Sequence, residues 1–240
     1  MTSIDPPFSA ENSGEASIGL SFPPFHERAQ SMTSRDLRRV ELTDAIRELI
    51  HDSFITLVEE DDLESATRLV RDALAHVSKK THRFSDGPMG MSFLDRSPFM
   101  GAMNPMSMPL SMSIVSDENV KAVESRVVFT MPYEGPPGHV HGGFIAAAFD
   151  EVLGMTQSLS GRPGMTGNLS IDYRKPTPLY QELLFRGELL SVDGRRIYTR
   201  ATLHCGETLC AEATGLFLSM KKEVLDRFLA SQKAGESAVD

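Results

Sequence analysis

Apolar residues recur at helical spacing in two segments of the N-terminal third. The first begins at Leu37 and ends at the acidic turn 59–62, and the second covers residues 63–77 behind Asp62 as its predicted N-cap. Both stripes mark one face of an amphipathic helix. The pattern therefore predicts an antiparallel helical hairpin over residues 36–83 that buries its apolar face in the same molecule.

Downstream, the spacing of apolar residues shortens to two, which is typical of half-buried strands. Strands are predicted over residues 123–131, 169–173, 183–192, 195–204 and 208–220. The turns that join the last three are short, and short turns connect antiparallel strands rather than parallel ones.

One segment among these strands is apolar on every side. The run from Phe144 to Phe149 lies in a predicted helix over residues 142–159, and a helix without a polar face is buried on nearly every side. The predicted architecture is therefore α+β, with one central helix wrapped by an antiparallel sheet.

Residues 84–112 contain seven of the 13 methionines, mixed with Gly and Pro, so no helix is predicted to run through them. Methionine fills irregular apolar space, which favours core packing, and a lining for an adaptable acyl pocket is the alternative. Residues 1–35 are rich in Ser and Pro and are predicted to be a flexible tail. Residues 223–240 are predicted to form a short helix and tail.

Charge and cysteine content narrow the class of protein. The chain has 24 Lys plus Arg and 33 Asp plus Glu, a formal charge of −9, which weighs against nucleic-acid binding. Cys205 and Cys210 are expected to be free thiols in a reducing compartment. The N-terminus lacks the pattern of an export signal, and no apolar run could span a bilayer, so a soluble cytoplasmic protein is expected.

Asp150 follows six apolar residues inside the central helix. A buried carboxylate must be partnered, protonated, placed at a subunit boundary or used in chemistry, because its desolvation is costly. The alternative is a solvent-facing stripe shared with Glu151.

Two glycines begin this helix in the sequence Gly138-His139-Val140-His141-Gly142-Gly143. Free N–H groups at a helix N-terminus stabilise negative charge, so the segment is a candidate oxyanion hole, although the glycines could simply permit a tight turn. His141 and Asp150 lie nine residues apart, about 13 Å along one helix, so they cannot pair within it.

The strings HGGFIAAAFDEVLG, GMTGNLSIDYRKPTP and VDGRR occur in this order. They resemble the PaaI-type branch of the hotdog-fold acyl-CoA thioesterases, over about half of the chain, with the hotdog domain expected at residues 84–222. The resemblance implies a homodimer, formed by side-by-side sheet pairing, whose active sites straddle the subunit interface. Whether dimers pair into tetramers stays open.

By position, the resemblance implies that the Gly142 N–H polarises the thioester carbonyl, with His141 beside it. It implies that Asp150 is a general base or a nucleophile and that the Thr166 hydroxyl helps to hold the attacking water. The implied substrate-binding residues are Gly143, Asn168, Asp172, Arg174, Arg195 and Arg196, the arginines for the phosphates of coenzyme A. No metal and no separate cofactor are expected.

The sequence departs from this family at one position. Many relatives carry an Asn six residues before the histidine, where this chain has Gly135, and Asn168, Glu134 or His139 are the candidate substitutes. The alternative function is therefore a non-catalytic acyl-CoA-binding or regulatory protein.

Overall fold

The protein is described by a computed structural model that covers residues 31–81, 93–108, 110–116, 121–221 and 223. The helices are α1 (Ser34–Ile55), α2 (Glu60–Val77), α3 (Phe93–Arg96) and α4 (Gly142–Ser158), with a 3₁₀ turn at Met131–Tyr133. The strands are β1 (Ser111–Ser116), β2 (Lys121–Val127), β3 (Gly164–Tyr173), β4 (Leu183–Asp193), β5 (Arg196–Cys205) and β6 (Thr208–Ser219).

Within the described residues, the six strands form one sheet in the order β1-β2-β4-β5-β6-β3, and every neighbouring pair is antiparallel. The turns after β4 and β5 contain Gly194 and Gly206 at positive φ, as tight hairpin turns require. Helix α4 packs against β2, β3, β4, β5 and β6. The prediction of one central helix wrapped by an antiparallel sheet is confirmed.

The core lies between α4 and the sheet. Its largest fully buried side chains come from both layers: Phe129, Phe149, Phe185, Phe217, Leu153, Leu183, Ile197 and Leu203. Gly187 of β4 faces the helix so closely that an added Cβ would overlap the Thr156 hydroxyl. Glycine therefore sets how near the sheet approaches α4.

Strand β3 is an edge of the sheet, and most of its side chains are exposed. It pairs with β6 on one side, and the register shifts between Thr166 and Asn168, where Gly167 forms a bulge. A bulge inserts one extra residue, so the alternation of inward and outward side chains reverses there. Thr166 and Tyr173 consequently face the same side of the sheet although their numbers differ by an odd count.

One strand was missed, and the end of another was predicted wrongly. Strand β1 falls at Ser111–Ser116, where no strand was predicted, and β2 ends at Val127, so that Met131 begins a 3₁₀ turn instead of ending a strand. Pro132 lies inside this turn, and proline cannot donate to a sheet ladder.

The N-terminal helices exist, but the predicted hairpin is not a packed one. Helix α1 starts in a capping box between Thr33 and Asp36, and the Arg47 guanidinium holds it to the carbonyls of Gly101 and Asn104 at 2.7 and 2.8 Å. Helix α2 has no buried residue, so the expectation that its stripe packs in the same molecule is wrong. Its N-cap is Glu59, and Asp62 lies in its first turn.

The methionine-rich segment is mostly packing material. Met103 and Met108 are buried in the core, whereas Met106 is 75% exposed. Phe93–Arg96 forms a short helix where none was predicted. Cys205 and Cys210 are both free thiols, as predicted. The predicted tail up to residue 30, Met89 and Met91, and most of the C-terminal segment lie outside the described residues.

No helix in the described part of the chain is long and apolar enough to cross a membrane.

Candidate active site

The first turn of α4 presents a free backbone donor. The N-cap is His141, whose Nδ1 accepts a hydrogen bond of 3.0 Å from the Gly143 N–H. Since Nδ1 is the acceptor, the neutral imidazole carries its proton on Nε2. The Gly142 N–H has no acceptor among the described residues, so it is available to a ligand.

Tyr173 lies directly against this turn. Its hydroxyl donates a hydrogen bond of 2.8 Å to the Gly142 carbonyl, and its ring atoms would be 3.5 Å from a Cβ at Gly142. Gly142 and Tyr173 both line a cleft of about 320 Å³, together with His139, Val140 and the segment 174–177. The free N–H therefore lies at a cavity that a ligand can enter.

The second half of α4 carries the candidate base. Asp150 is half-buried, and the Thr166 hydroxyl donates a hydrogen bond of 2.8 Å to its Oδ1. The bulge at Gly167 turns Thr166 toward the helix and makes this contact possible. The bond orients the carboxylate and leaves Oδ2 free of a described partner. Asp150 is thus neither on a solvent-facing stripe nor alone in the core.

Gly142 and Asp150 are eight residues apart on one straight helix, about 12 Å along its axis. A water held at the Asp150 carboxylate cannot attack a carbonyl that is bound at the Gly142 N–H of the same chain. The structure therefore keeps these two groups apart within one chain.

The neighbouring carboxylate, Glu151, has a different environment. Burial raises its pKa to about 7, the Ser97 hydroxyl donates to its Oε1 at 3.3 Å and lowers the pKa, and the nearby charge of Asp150 raises it. Glu151 is therefore largely protonated below neutral pH, which keeps a second negative charge away from Asp150.

Among the described residues, Glu134 and His139, two of the candidate substitutes for an amide at Gly135, are engaged within their own loop. A Cβ there would come within 2.7 Å of the His141 Cα, so the glycine lets the loop pack on the helix start. Glu134 accepts from the Gly138 N–H at 2.6 Å, and the His139 Nδ1 donates to the Pro137 carbonyl at 2.8 Å. Both candidate substitutes are thus occupied within the loop.

Arg174 is paired with carboxylates in this chain. Its guanidinium contacts Glu212 at 2.8 Å and Asp172 at 3.4 Å, and both contacts raise its pKa above the usual range. The three side chains carry a net charge of −1, so Arg174 offers a phosphate less attraction than an unpaired arginine would.

The other two predicted phosphate ligands lie elsewhere. Arg195 donates Nε and Nη2 to the Ser219 carbonyl at 3.0 and 2.8 Å, and Arg196 is exposed at the start of β5. Ser219 pairs with Gly164, the first residue of β3, whereas Arg174 follows its last residue. Along a strand of ten residues the two ends are about 30 Å apart, so one chain does not bring these arginines together.

Gly143 and Asn168 complete the predicted set. The Gly143 N–H is used by His141, so it supports the turn instead of facing a ligand. Asn168 pairs with Leu216 across the strands and is exposed. Its position beyond the bulge places it on the side of the sheet opposite Thr166.

Two residues were missed by sequence reasoning. Tyr173 was recognised only as a strand residue, although its parity with Leu169 and Ile171 was a signal that it faces α4. Glu151 gave no such signal, because its partner Ser97 is 54 residues away in the chain.

In the part of the chain that the structure describes, no group of three or more His, Cys, Asp or Glu side chains could hold a metal ion.

Comparisons with known proteins place this site in a family context. The family model described as "Thioesterase superfamily" matches residues 137–212, which include α4, β3 and the lining of the cleft except Pro136. A solved structure, "protein RHA08564, thioesterase superfamily protein", is 32% identical with a TM-score of 0.66, and the match covers 75% of this chain and 94% of that one.

Two curated relatives share the central segment. Acyl-coenzyme A thioesterase THEM4 of Mus musculus is 38% identical over 92 residues, which are 38% of this chain and 40% of the relative. Acyl-coenzyme A thioesterase THEM5 of Homo sapiens is 32% identical over 92 residues, 38% and 37% of the two lengths. The chain thus matches about two fifths of the length of these relatives, and the PaaI-type branch stays a prediction.

Proposed function

Because this chain belongs to the thioesterase superfamily, we propose that it hydrolyses an acyl-coenzyme A, with a fatty or aryl acyl group, to the free acid and coenzyme A. The observation that carries the proposal is that α4 holds two groups with complementary chemistry. Its Asp150 accepts a hydrogen bond from the Thr166 hydroxyl of β3, and its first turn offers the unpaired Gly142 N–H. A hydrolase needs both a group that activates water and a donor for the developing oxyanion.

The thioester carbonyl oxygen would accept from the Gly142 N–H at the positive end of the α4 dipole. The His141 Nε2–H is the second donor in reach of this turn, since Nδ1 is held by Gly143. Negative charge on this oxygen grows as water adds to the carbonyl, so both donors stabilise the tetrahedral state more than the substrate.

Asp150 would take a proton from the attacking water through Oδ2 while Thr166 holds Oδ1. Collapse of the tetrahedral state breaks the carbon–sulfur bond, and the proton passes from Asp150 to the departing thiolate. A direct attack by Asp150 would form an acyl anhydride that water then opens. The Thr166 hydrogen bond is compatible with either role.

The separation of the two groups along α4 favours a site shared by two subunits. Strand β3 is an exposed edge with Thr166 near one end and Tyr173 at the other. If two copies pair antiparallel along this edge, the Gly142 turn of one lies near the Asp150 of the other. The same pairing brings the Arg174 end of one β3 toward the Arg195 end of the other, which would combine their charges for coenzyme A.

The first experiment measures thiol release from short, medium, long and phenylacetyl coenzyme A thioesters by wild type and by Asp150→Asn. We expect the variant to lose about 10²-fold or more in kcat, the usual contribution of a positioned base. Asp193→Asn, which makes the same chemical change at the exposed end of β4, is the matched control.

Full hydrolysis by Asp150→Asn of every thioester that wild type cleaves would contradict this assignment. No release from any substrate by folded wild type, combined with saturable acyl-coenzyme A binding, would instead favour the non-catalytic alternative.

A further inference from the structure

Helix α2 carries an apolar stripe that nothing in the described structure covers. Its side chains point from one face of the helix at residues 63, 66, 70, 74 and 77, and all five are exposed. Leu63, Val70, Leu74 and Val77 are 46, 43, 58 and 48% exposed. Helices in proteins take most of their stability from packing such a stripe, and the N-cap Glu59 provides no side-chain hydrogen bond to compensate.

These five positions are symmetric about Val70, whereas Leu69, which is 68% exposed beside them, has no apolar counterpart. Val70 lies midway between Leu63 and Val77 and also midway between Ala66 and Leu74. If a second α2 packs antiparallel with Val70 against Val70, each of these five residues meets another of the same five. A contact between two identical surfaces about a two-fold axis requires this self-complementarity.

The charges at the two ends of α2 favour the same orientation. The acidic residues Glu59, Glu60, Asp61 and Asp62 begin the helix, and His76, Lys79 and Lys80 are at or just beyond its end. Antiparallel packing places the acidic end of one helix beside the basic end of the other, and it also opposes the helix dipoles. Parallel packing would bring like charges together at both ends.

We propose that α2 is an interaction surface for a second copy of this chain, with the two helices packed antiparallel about a two-fold axis at Val70. The surface is separate from the β3 edge and from the cleft at Gly142, so it is independent of the proposed hydrolysis. Helix α1, which Arg47 fixes to the loop at Gly101 and Asn104, connects this surface to the sheet domain.

The test places single cysteines on α2 of the full chain and treats each protein with a short bismaleimide. Val70→Cys should link two chains efficiently, because the axis brings this position against its own copy. Ala75→Cys, on the opposite face of the same helix, is the matched control and should stay near the background that wild type sets through Cys205 and Cys210.

Orientation is tested with the ends of the stripe. Leu63→Cys and Val77→Cys should each link poorly alone, whereas an equal mixture of the two variants should yield a linked pair that peptide mass spectrometry assigns as 63 to 77. All of these positions are exposed, so the variants are expected to fold as wild type does.

Three results would overturn the proposal. Linking of Val70→Cys only at the level of Ala75→Cys would show that α2 does not contact a second chain. Efficient linking of Leu63→Cys to itself would mean parallel packing. A link within one chain from position 70 to Cys205 would mean that α2 packs on its own sheet domain. Dominant links between chains at position 70 support the proposal.

Discussion

At the scale of single residues, one hydroxyl connects the strand edge to the proposed oxyanion donor. Tyr173 is 54% exposed and contributes little to the core, yet its hydroxyl donates to the Gly142 carbonyl at 2.8 Å. The Gly142 carbonyl shares its peptide with the Gly143 N–H, so this bond helps to fix the first turn of α4, from which the Gly142 N–H projects. Tyr173 is therefore a positioning residue for the site.

Tyr173→Phe should lower kcat about 3- to 10-fold, the equivalent of one neutral hydrogen bond, with KM changed much less. The ring and its wall of the cleft remain, so ground-state binding is kept while the alignment of the donor is lost. Steady-state kinetics with the best thioester substrate measure the split between kcat and KM.

Tyr180→Phe is the control for this change. Tyr180 is 51% exposed, and its hydroxyl accepts from the Met131 N–H at 3.3 Å, away from the Gly142 turn. Equal effects of both variants on kcat would show that Tyr173 acts through general stability and not through the site.

Glu151 should make the stability of the protein depend on pH in a defined window. Burial raises its pKa to about 7 in the folded protein, against 4.5 for an ordinary glutamate, so the folded state binds more protons between these pH values. The stability that this group contributes is complete below pH 4.5 and is lost as pH rises through 7. Glu151→Gln, which stays neutral, should therefore stabilise the protein relative to wild type at pH 8 but not at pH 4.

At about 1.36 kcal/mol per pKa unit, Glu151→Gln should exceed wild type in free energy of unfolding at pH 8 by at most about 3 kcal/mol. Urea unfolding of wild type and Glu151→Gln at both pH values measures it. Glu207→Gln in the exposed β5–β6 turn is the control and should show no such dependence. An unchanged difference between pH 4 and pH 8 would contradict the burial argument.

At the scale of elements, the first turn of α4 allows the role of a backbone N–H to be tested apart from the roles of side chains. Gly142 is the first helical residue, and His141 before it has φ −63° and ψ 132°, a conformation that precedes proline readily. The N–H at this position has no partner within the described residues, so proline can replace glycine there without breaking the helix.

Gly142→Pro should thus leave the melting temperature nearly unchanged while kcat falls about 10²- to 10³-fold, as for removal of an oxyanion-hole donor. Gly142→Ala retains the N–H, and its Cβ would lie 3.4 Å from the Tyr173 hydroxyl, an ordinary contact. Alanine should therefore keep most of kcat. Comparable kcat values for Pro and Ala would argue against a role for this N–H.

At the scale of the whole molecule, a site divided between two subunits has a measurable consequence. If the chain forms the proposed homodimer, Asp150→Asn and Gly142→Pro should each inactivate every site in their own homodimers. A hybrid dimer contains one site with both changes and one site with neither. Unfolding and refolding an equal mixture should therefore recover about a quarter of wild-type activity if subunits combine at random.

Each variant refolded alone is the control, and native mass spectrometry of size-tagged chains measures the fraction of hybrids. A mixture no more active than its parents, with hybrids present, would mean that each site is complete within one chain.

The sequence by itself determined the order and type of most elements, because periods of two and 3.6 follow directly from backbone geometry. It also determined the candidate chemistry, since a carboxylate after six apolar residues and paired glycines at a helix start are visible in the printed chain. Strand β1 was not predicted, because Ser111–Ser116 follows a methionine- and proline-rich stretch in which apolar and polar residues do not clearly alternate. Strand β2 ends at Val127, before the 3₁₀ turn at Met131–Tyr133 that contains Pro132.

The tertiary structure alone decided which groups meet. Strict alternation along β3 would turn Thr166 away from α4, and only the bulge at Gly167 brings its hydroxyl to Asp150. The contact of Tyr173 with Gly142 joins residues 31 positions apart, and periodicity carries no information about such distances. Helix α2 was predicted from its stripe, but an amphipathic pattern states only that a face seeks a partner. Whether that partner lies in the same chain depends on how the rest of the chain folds.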